Sequence, residues 1–110
     1  YFYMRFFVTK FALDQGVVPI NPFASFDYFL LDAVERDTVR RANNTLVARA
    51  DELWVFGDIA DGVRAEIMQA WQQHKTVRFF AFRDDKHIYE VAINDVVYED
   101  GVEFLIHIGE

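Results

Sequence analysis

A short stretch of the chain, VFGDIADGVRAEI at positions 55–67, combines residue types that can do chemistry. Its two glycines and three carboxylates are Gly57, Asp58, Asp61, Gly62 and Glu66. An ionised carboxylate can attack an electron-poor sugar carbon while a nearby acid assists the leaving group. The stretch therefore indicates nucleophilic or acid–base chemistry, with Glu66 as the candidate nucleophile.

Phosphate binding is the competing interpretation of the two glycines, which have the spacing of the G-x-x-x-x-G part of a phosphate-binding loop. Val63 and Arg64 occupy the positions where that loop has Lys and Ser/Thr. Asp58 and Asp61 would also oppose the attraction of a helix N-terminus for a triphosphate. We therefore expect no triphosphate site. A structural alternative stays open, in which Asp61 caps the helix and Glu66 complements its dipole.

Helical and strand patterns alternate along the chain and must position these carboxylates. Apolar residues recur at helical spacing in three segments, at residues 2–15, about 32–50, and 63–74. In the second segment, Asp32 and Glu35 resemble a capping box. Strand patterns occur at residues 17–20, 53–56, 77–82 and in the segments HIYEVAI and VVYEDGVEFLIHI, with Asp100 and Gly101 as a turn.

This alternation predicts an α/β fold, a Rossmann-like open and mostly parallel sheet flanked by helices, with a C-terminal β extension. The length of 110 residues predicts a single domain over residues 1–110. Sheets of this kind bind ligands outside the carboxyl ends of their strands. The carboxylate-bearing stretch follows one such strand end.

Composition narrows the classes of partner. The chain is 53% hydrophobic and 17% aromatic, and its net charge of -7 with scattered Lys and Arg argues against nucleic acid. No apolar run reaches the length of a membrane span, so no membrane partner is expected. The absence of cysteine excludes disulfides and thiolate metal sites and fits the cytoplasm. We predict no cofactor.

Three histidines and one serine complete the candidates for catalysis or metal binding. His74, His87 and His107 have no paired ligand spacing, so no metal site is expected. Ser25 has no histidine near it in the sequence, which argues against a serine hydrolase.

An aromatic loop and an early arginine could contribute to ligand binding. Asn21, Phe23 and Asp27 could line the mouth of a pocket, because aromatic side chains at a strand end can stack a base. The alternative is that Phe23 and its neighbouring phenylalanines fill the core. Arg5 could meet a phosphate group or simply pair with an acid.

The segment ADELWVFGDIADGVRAEIMQAWQQHKTVRFF resembles the core of the nucleoside 2-deoxyribosyltransferase-like superfamily. That superfamily has a strand opened by AD, a loop with Asp or Ser and Gly, Glu in the next helix, and A…GK before another strand. The motifs NPF…FDYFLLD and RRANN indicate an uncharacterised bacterial or phage branch. The resemblance covers roughly residues 1–82.

The resemblance implies roles for individual residues. Glu66 matches the glutamate that attacks the anomeric carbon and expels the base, and Asp61, with Asp58 next, matches the assisting carboxylate. Asn43 stands where the family often has Asp, and the family's first strand would precede residue 1. The ligand would be a nucleoside or nucleotide. Substrate contacts are expected from Gly57, Asp58, Gly62, Asn21, Phe23, Asp27, Asn43 and Arg5.

Two functions follow from the resemblance and stay open. The first is an enzyme that cleaves or transfers an N-glycosidic bond, and the second is a non-catalytic sensor of a nucleotide-like ligand. Relatives in the superfamily form dimers or larger assemblies. Together with the excess of aromatic residues, this predicts a homodimer or higher oligomer that packs through residues 34–50 or the aromatic loop.

Overall fold

The computed structural model of the chain describes residues 2–21, 35–84 and 87–106. They belong to two compact units, Tyr1–Asp51 and Glu52–Glu110. The first unit contains the helices α1 (Phe2–Asp14) and α2 (Arg36–Arg49). The second contains, in chain order, β1 (Glu52–Phe56), α3 (Asp61–Gln72), β2 (Thr76–Phe82), β3 (Ile88–Val91) and a 3-10 turn at Ile93–Asp95.

The helix α1 confirms the first predicted helix to within one residue. It ends where Gly16 adopts a positive φ of 84°, a conformation that glycine reaches without a steric penalty. The strand predicted at residues 17–20 is wrong, because this segment has no strand pairing. Pro19 lacks an N–H for a ladder, and Val18 is 87% exposed instead of facing a core.

The helix α2 begins later than its sequence pattern predicts. Glu35 is its N-cap residue, with an extended ψ of 137°, and its side chain makes no capping hydrogen bond. The capping-box prediction is therefore wrong for Glu35, which would have to be the third helical residue, and Asp32 lies outside the described residues. The helical spacing predicts that Val39, Ala42, Leu46 and Ala50 face inward; all four are half-buried, and Val47 is 6% exposed.

The second unit is built on a three-stranded sheet in the order β1-β2-β3. The strands β1 and β2 are parallel, with Val55 opposite Phe79, whereas β2 and β3 are antiparallel, with Phe80 opposite Glu90. The helix α3 connects the parallel pair, as such a crossover requires. The short connection after β2 allows only a hairpin, which the Arg83 N–H closes on the His87 carbonyl at 2.9 Å.

This sheet confirms the α/β class of the prediction. Its described strands are mixed, with one parallel and one antiparallel pairing, so the finer description as mostly parallel does not apply to them. The sequence pattern could not distinguish these cases, because apolar runs predict strands and not their direction. Direction depends on the length and structure of the connection.

One face of the sheet packs against α3 to form the core of the second unit. The core residues Val55, Ile59, Ile67 and Phe79 are at most 6% exposed. Because side chains alternate along a strand, the odd-numbered residues of β1 and β2 face this core. Of the positions at helical spacing in residues 63–74, Val63, Ile67 and Trp71 meet this core, whereas His74 is exposed. The continuous apolar run at residues 53–56 is typical of a strand buried on both faces, but in β1 only Val55 is fully buried.

The C-terminal segment after the 3-10 turn packs on the same core without forming a strand ladder. Its described residues make one isolated parallel bridge, between Ile59 and Tyr98, so the predicted C-terminal β extension is limited to β3 and this bridge. The predicted turn is present, and Gly101 has a φ of 81° there. This turn interrupts the segment two residues after the bridge, which leaves no length for a ladder.

Candidate functional site

The candidate site begins where β1 ends. Gly57 turns the chain with a φ of 83°, and its N–H donates to the Phe80 carbonyl at 2.9 Å, which keeps the turn attached to β2. A Cβ at this position would be 3.6 Å from the Phe82 ring, an ordinary contact. The positive φ, and not lack of space, is therefore the reason for glycine here.

The loop after Gly57 is anchored through its apolar residue. Ile59 is completely buried, its N–H donates to the Val97 carbonyl at 2.9 Å, and its carbonyl accepts from the Glu99 N–H at 3.0 Å. Since neighbouring residues of an extended segment face opposite sides, the inward Ile59 directs Asp58 outward. Asp58 is accordingly exposed. The loop holds this carboxylate on a fixed backbone.

The helix α3 begins immediately after this loop. Its N-cap residue is Ala60, whose carbonyl accepts the first helical hydrogen bond from the Arg64 N–H at 2.8 Å. The interpretation of Asp61 as the cap is therefore wrong, because Asp61 is the first helical residue and no side chain caps the helix. Its exposed carboxylate still lies in the first turn, where the helix dipole favours a negative charge.

Glu66 is the sixth residue of α3 and is half-buried. The helix dipole acts mainly within the first turn, so it contributes less to Glu66 than to Asp61. Side chains of a helix lean toward its N-terminus, so Glu66 leans toward Gly62, one turn earlier. A Cβ at Gly62 would have no heavy atom within 4 Å. Open space therefore lies above Gly62, on the side toward which Glu66 leans.

The two proposed catalytic carboxylates do not share a side of the helix. Asp61 and Glu66 are five residues apart, which places them about 140° apart around the axis at 3.6 residues per turn. Gly62 and Glu66, by contrast, are about 40° apart. The local geometry thus groups Glu66 with Gly62, and it separates Glu66 from Asp61.

A contribution that the sequence did not indicate comes from the C-terminal segment. The Arg64 Nε donates to the Glu103 carbonyl at 2.8 Å, and an Arg64 guanidinium nitrogen lies 3.9 Å from the Glu103 carboxylate. The Tyr98 hydroxyl accepts from the Leu105 N–H at 3.0 Å. These bonds and the Ile59 bridge hold the segment beside the start of α3. Arg64 and Glu103 are 39 residues apart, and no spacing in the sequence links them.

The remaining predicted ligand contacts fall outside this unit. Arg5, Asn21 and Asn43 are half-buried residues of the first unit. Phe23 and Asp27 lie outside the described residues. The other predicted residues, Gly57, Asp58, Asp61, Gly62 and Glu66, all lie in the second unit, between the end of β1 and the second turn of α3.

The histidines that the structure describes have local roles. The Nδ1 of His87 lies 2.8 Å from each carboxylate oxygen of Asp84, in the β2–β3 hairpin. His74 follows α3 and is exposed. Across residues 2–21, 35–84 and 87–106, no three His, Asp or Glu side chains are grouped so that they could hold a metal ion. His107 lies beyond these ranges.

Comparison with known proteins gives one match. The domain of unknown function DUF7768 matches residues 3–80, which include α1 except its first residue, α2, β1, α3 and most of β2. Neither the curated proteins nor the solved structures contain a significant match to the chain. In the part of the chain that the structure describes, no helix has both the length and the apolar character to cross a membrane.

Proposed function

The chain belongs to the DUF7768 family, and we propose that this member cleaves or transfers the N-glycosidic bond of a nucleoside or nucleotide, with Glu66 as the nucleophile. One observation carries the proposal. Just beyond the carboxyl end of the parallel strand β1, a half-buried glutamate follows Gly62 by one helical turn, and a Cβ at Gly62 would have no heavy atom within 4 Å. This is the edge at which α/β sheets bind ligands. The Rossmann-like topology suggested by the resemblance is part of the same proposal.

The proposed reaction places the sugar of the substrate above Gly62. The Glu66 carboxylate forms a bond to the anomeric carbon as the carbon–nitrogen bond breaks, and the departing base takes a proton from an acid. Water or a second base then attacks the glycosyl ester and releases Glu66. Asp61 is the acid that the resemblance suggests, with Asp58 as the next candidate, although Asp61 projects about 140° away from Glu66 around α3.

The test is release of free base from a panel of deoxynucleosides and their monophosphates, followed by chromatography. Glu66→Gln should abolish release, because the neutral amide cannot act as the nucleophile. Glu35→Gln is the matched control, since this exposed glutamate makes no capping bond through its side chain. Release that persists unchanged in Glu66→Gln would remove Glu66 from this role.

The variant Gly62→Ala distinguishes a loss of activity caused by a blocked site from one caused by a destabilised fold. The added methyl group enters the open space where the sugar is proposed to bind, and so should reduce turnover. Alanine is the better helix former by about 0.5–1 kcal/mol, so the same variant should melt at a higher temperature. A more stable variant with unchanged turnover would place the substrate elsewhere.

A non-catalytic sensor of a nucleotide-like ligand is the second candidate. The separation of Asp61 from Glu66 around α3 favours it, because turnover needs an acid on the side of the leaving group. Thermal-shift measurements with nucleosides and their monophosphates distinguish the two candidates. Stabilisation without release of base would support the sensor. A protein that neither binds nor cleaves any member of the panel would contradict both.

A further inference from the structure

Two parts of the chain carry an excess of charge of opposite sign. Residues 88–110 contain six Asp and Glu residues and no Lys or Arg. The helix α2 contains four arginines and a single acidic residue, Asp37. A protein with a net charge of -7 therefore carries one strongly basic helix and one wholly acidic segment.

The acidic segment also exposes large apolar side chains. We call six of its exposed residues the C-terminal surface: Asp95, Val97, Glu99, Asp100, Phe104 and Ile106. Val97, Phe104 and Ile106 are 60%, 69% and 62% exposed. Apolar side chains surrounded by charged ones are typical of a surface that binds a protein partner.

The C-terminal surface has a defined shape. The Phe104 ring packs on Tyr98, with ring centroids 4.6 Å apart. The backbone beneath is bonded to the core through Ile59 and to α3 through Arg64. A partner would therefore meet an aromatic ring and carboxylates already in place, which lowers the entropic cost of binding.

The exposed side of α2 has the complementary chemistry. Arg41, Thr45 and Arg49 recur every four residues, so they line up along the helix as an arginine stripe with Ala48 beside it. All four residues are exposed. The small side chains between the arginines leave room for a ring to approach. A guanidinium group can then stack on an aromatic face while it pairs with a carboxylate.

The same combination of groups already occurs inside the second unit. The guanidinium carbon of Arg78 lies 4.7 Å from the centroid of the Trp54 ring, and the group also donates two hydrogen bonds to Glu90 at 2.9 and 2.7 Å. An arginine between a ring and a carboxylate is thus a stable arrangement in this protein. Phe104 and Glu99 offer a ring and a carboxylate on the surface.

We propose that the C-terminal surface of one copy of this chain binds the arginine stripe of a second copy. Charge complementarity identifies a second copy as the partner. Its helix α2 supplies an exposed, basic and regular stripe that fits the acidic and apolar surface. The contact joins two different patches, so it is heterologous and either closes into a ring or extends the assembly. It is independent of the proposed reaction.

Mass measurement by light scattering, at several protein concentrations and in low salt, gives the first test. We expect a mass above that of one chain that falls as salt rises from about 50 mM to about 500 mM, because ions screen exposed charges. A mass of one chain under all these conditions would overturn the proposal.

Charge reversal gives the second test. The variant Glu99→Lys/Asp100→Lys makes the surface basic, and Arg41→Glu/Arg49→Glu makes the stripe acidic. Each variant alone should associate at least about tenfold more weakly than the unchanged protein, because like charges then face each other. An equimolar mixture of the two should recover association, since every contact between unlike variants again joins opposite charges.

The mixture keeps the test decisive even if a variant is less stable. Recovery shows that both variants are folded and that the reversed residues face each other. Two variants that dissociate and do not recover on mixing, or that associate as strongly as the unchanged protein, would contradict the assignment. Binding of a foreign arginine-rich helical peptide, with no self-association of the chain, would also overturn it.

Discussion

At the scale of single residues, Arg78 in the middle strand combines ring contacts with an ion pair. Its guanidinium group lies over the rings of Trp54 and Phe80 and donates two hydrogen bonds to Glu90 on β3. These bonds hold the pKa of Glu90 below its usual value and raise the pKa of Arg78, with partial burial opposing both shifts. Because Glu90 is exposed and Arg78 is only half-buried, the ion pair itself contributes little at high salt.

The lowered pKa of Glu90 predicts a pH-dependent contribution to stability. A carboxylate whose pKa is lower when folded stabilises the fold above its unfolded pKa, about 4.3, and loses that contribution as the pH falls through the folded value. Glu90→Gln should therefore be less stable than the unchanged protein near pH 7, and the difference should shrink below about pH 4. Urea unfolding across this pH range measures it.

The control for Glu90 uses its partner. In an Arg78→Gln background the hydrogen bonds to Glu90 are gone, so adding Glu90→Gln should change stability little and with little dependence on pH. A pH-independent difference between Glu90→Gln and the unchanged protein would show that packing, and not the charge of Glu90, is responsible.

At the scale of elements, two helices end with the same hydrogen-bond pattern but different residues. After α1, the Gly16 N–H donates to the Leu13 carbonyl and the Val17 N–H to the Ala12 carbonyl. After α3, the His74 N–H donates to Trp71 and the Lys75 N–H to Ala70 in the same way. Both are Schellman motifs, which require a left-handed residue after the C-cap.

The left-handed position after α3 predicts a stabilising substitution. His74 has a φ of 61°, which strains any residue with a Cβ, whereas glycine adopts it freely. His74→Gly should raise the free energy of unfolding by about 1 kcal/mol. That corresponds to about 4–8 °C in melting temperature for a domain of this size. Calorimetry measures the shift.

The corresponding position after α1 provides the matched control. Gly16 has a φ of 84°, so Gly16→Ala should destabilise the protein by a similar amount. A Cβ there would have no heavy atom within 4 Å, so crowding cannot account for the loss. If His74→Gly melts at or below the temperature of the unchanged protein, the His74 side chain makes contacts that outweigh its backbone strain.

At the scale of the whole molecule, acidic charge dominates. The net charge is -7 and the isoelectric point is near 4.8, so mutual repulsion keeps copies apart at neutral pH except where opposite charges face each other. Precipitation should be greatest near pH 4.8, where this repulsion vanishes. Turbidity measured from acidic to neutral pH would locate the maximum.

A change of charge at a residue outside the C-terminal surface and the arginine stripe tests whether net charge alone sets this maximum. Asp51 is exposed, so Asp51→Lys should move the precipitation maximum to higher pH, and Asp51→Asn should move it about half as far. Equal shifts in the two variants, or none in either, would indicate that a specific surface and not net charge controls precipitation.

The existence of most elements could be predicted from the sequence because their apolar spacing is strong. Ile67 and Ala70 indicate the buried side of α3, and the apolar run at 53–56 predicts β1. Both elements are present. Predictions that depended on weak local patterns were wrong. Val17 and its neighbours are apolar but have no strand partner, and Glu35 is an N-cap residue where a capping box would place it inside the helix.

The sequence by itself determined the α/β class, the core side of α3, and a glycine-bounded group of carboxylates after β1, because spacing along one element fixes which side chains share a face. Only the tertiary structure decided the antiparallel direction of β3 and the separation of Asp61 from Glu66 around a helix that starts at Asp61. It also decided that the C-terminal segment lies beside α3 through Arg64. These features depend on where each element begins and on contacts between distant residues, which no local pattern encodes.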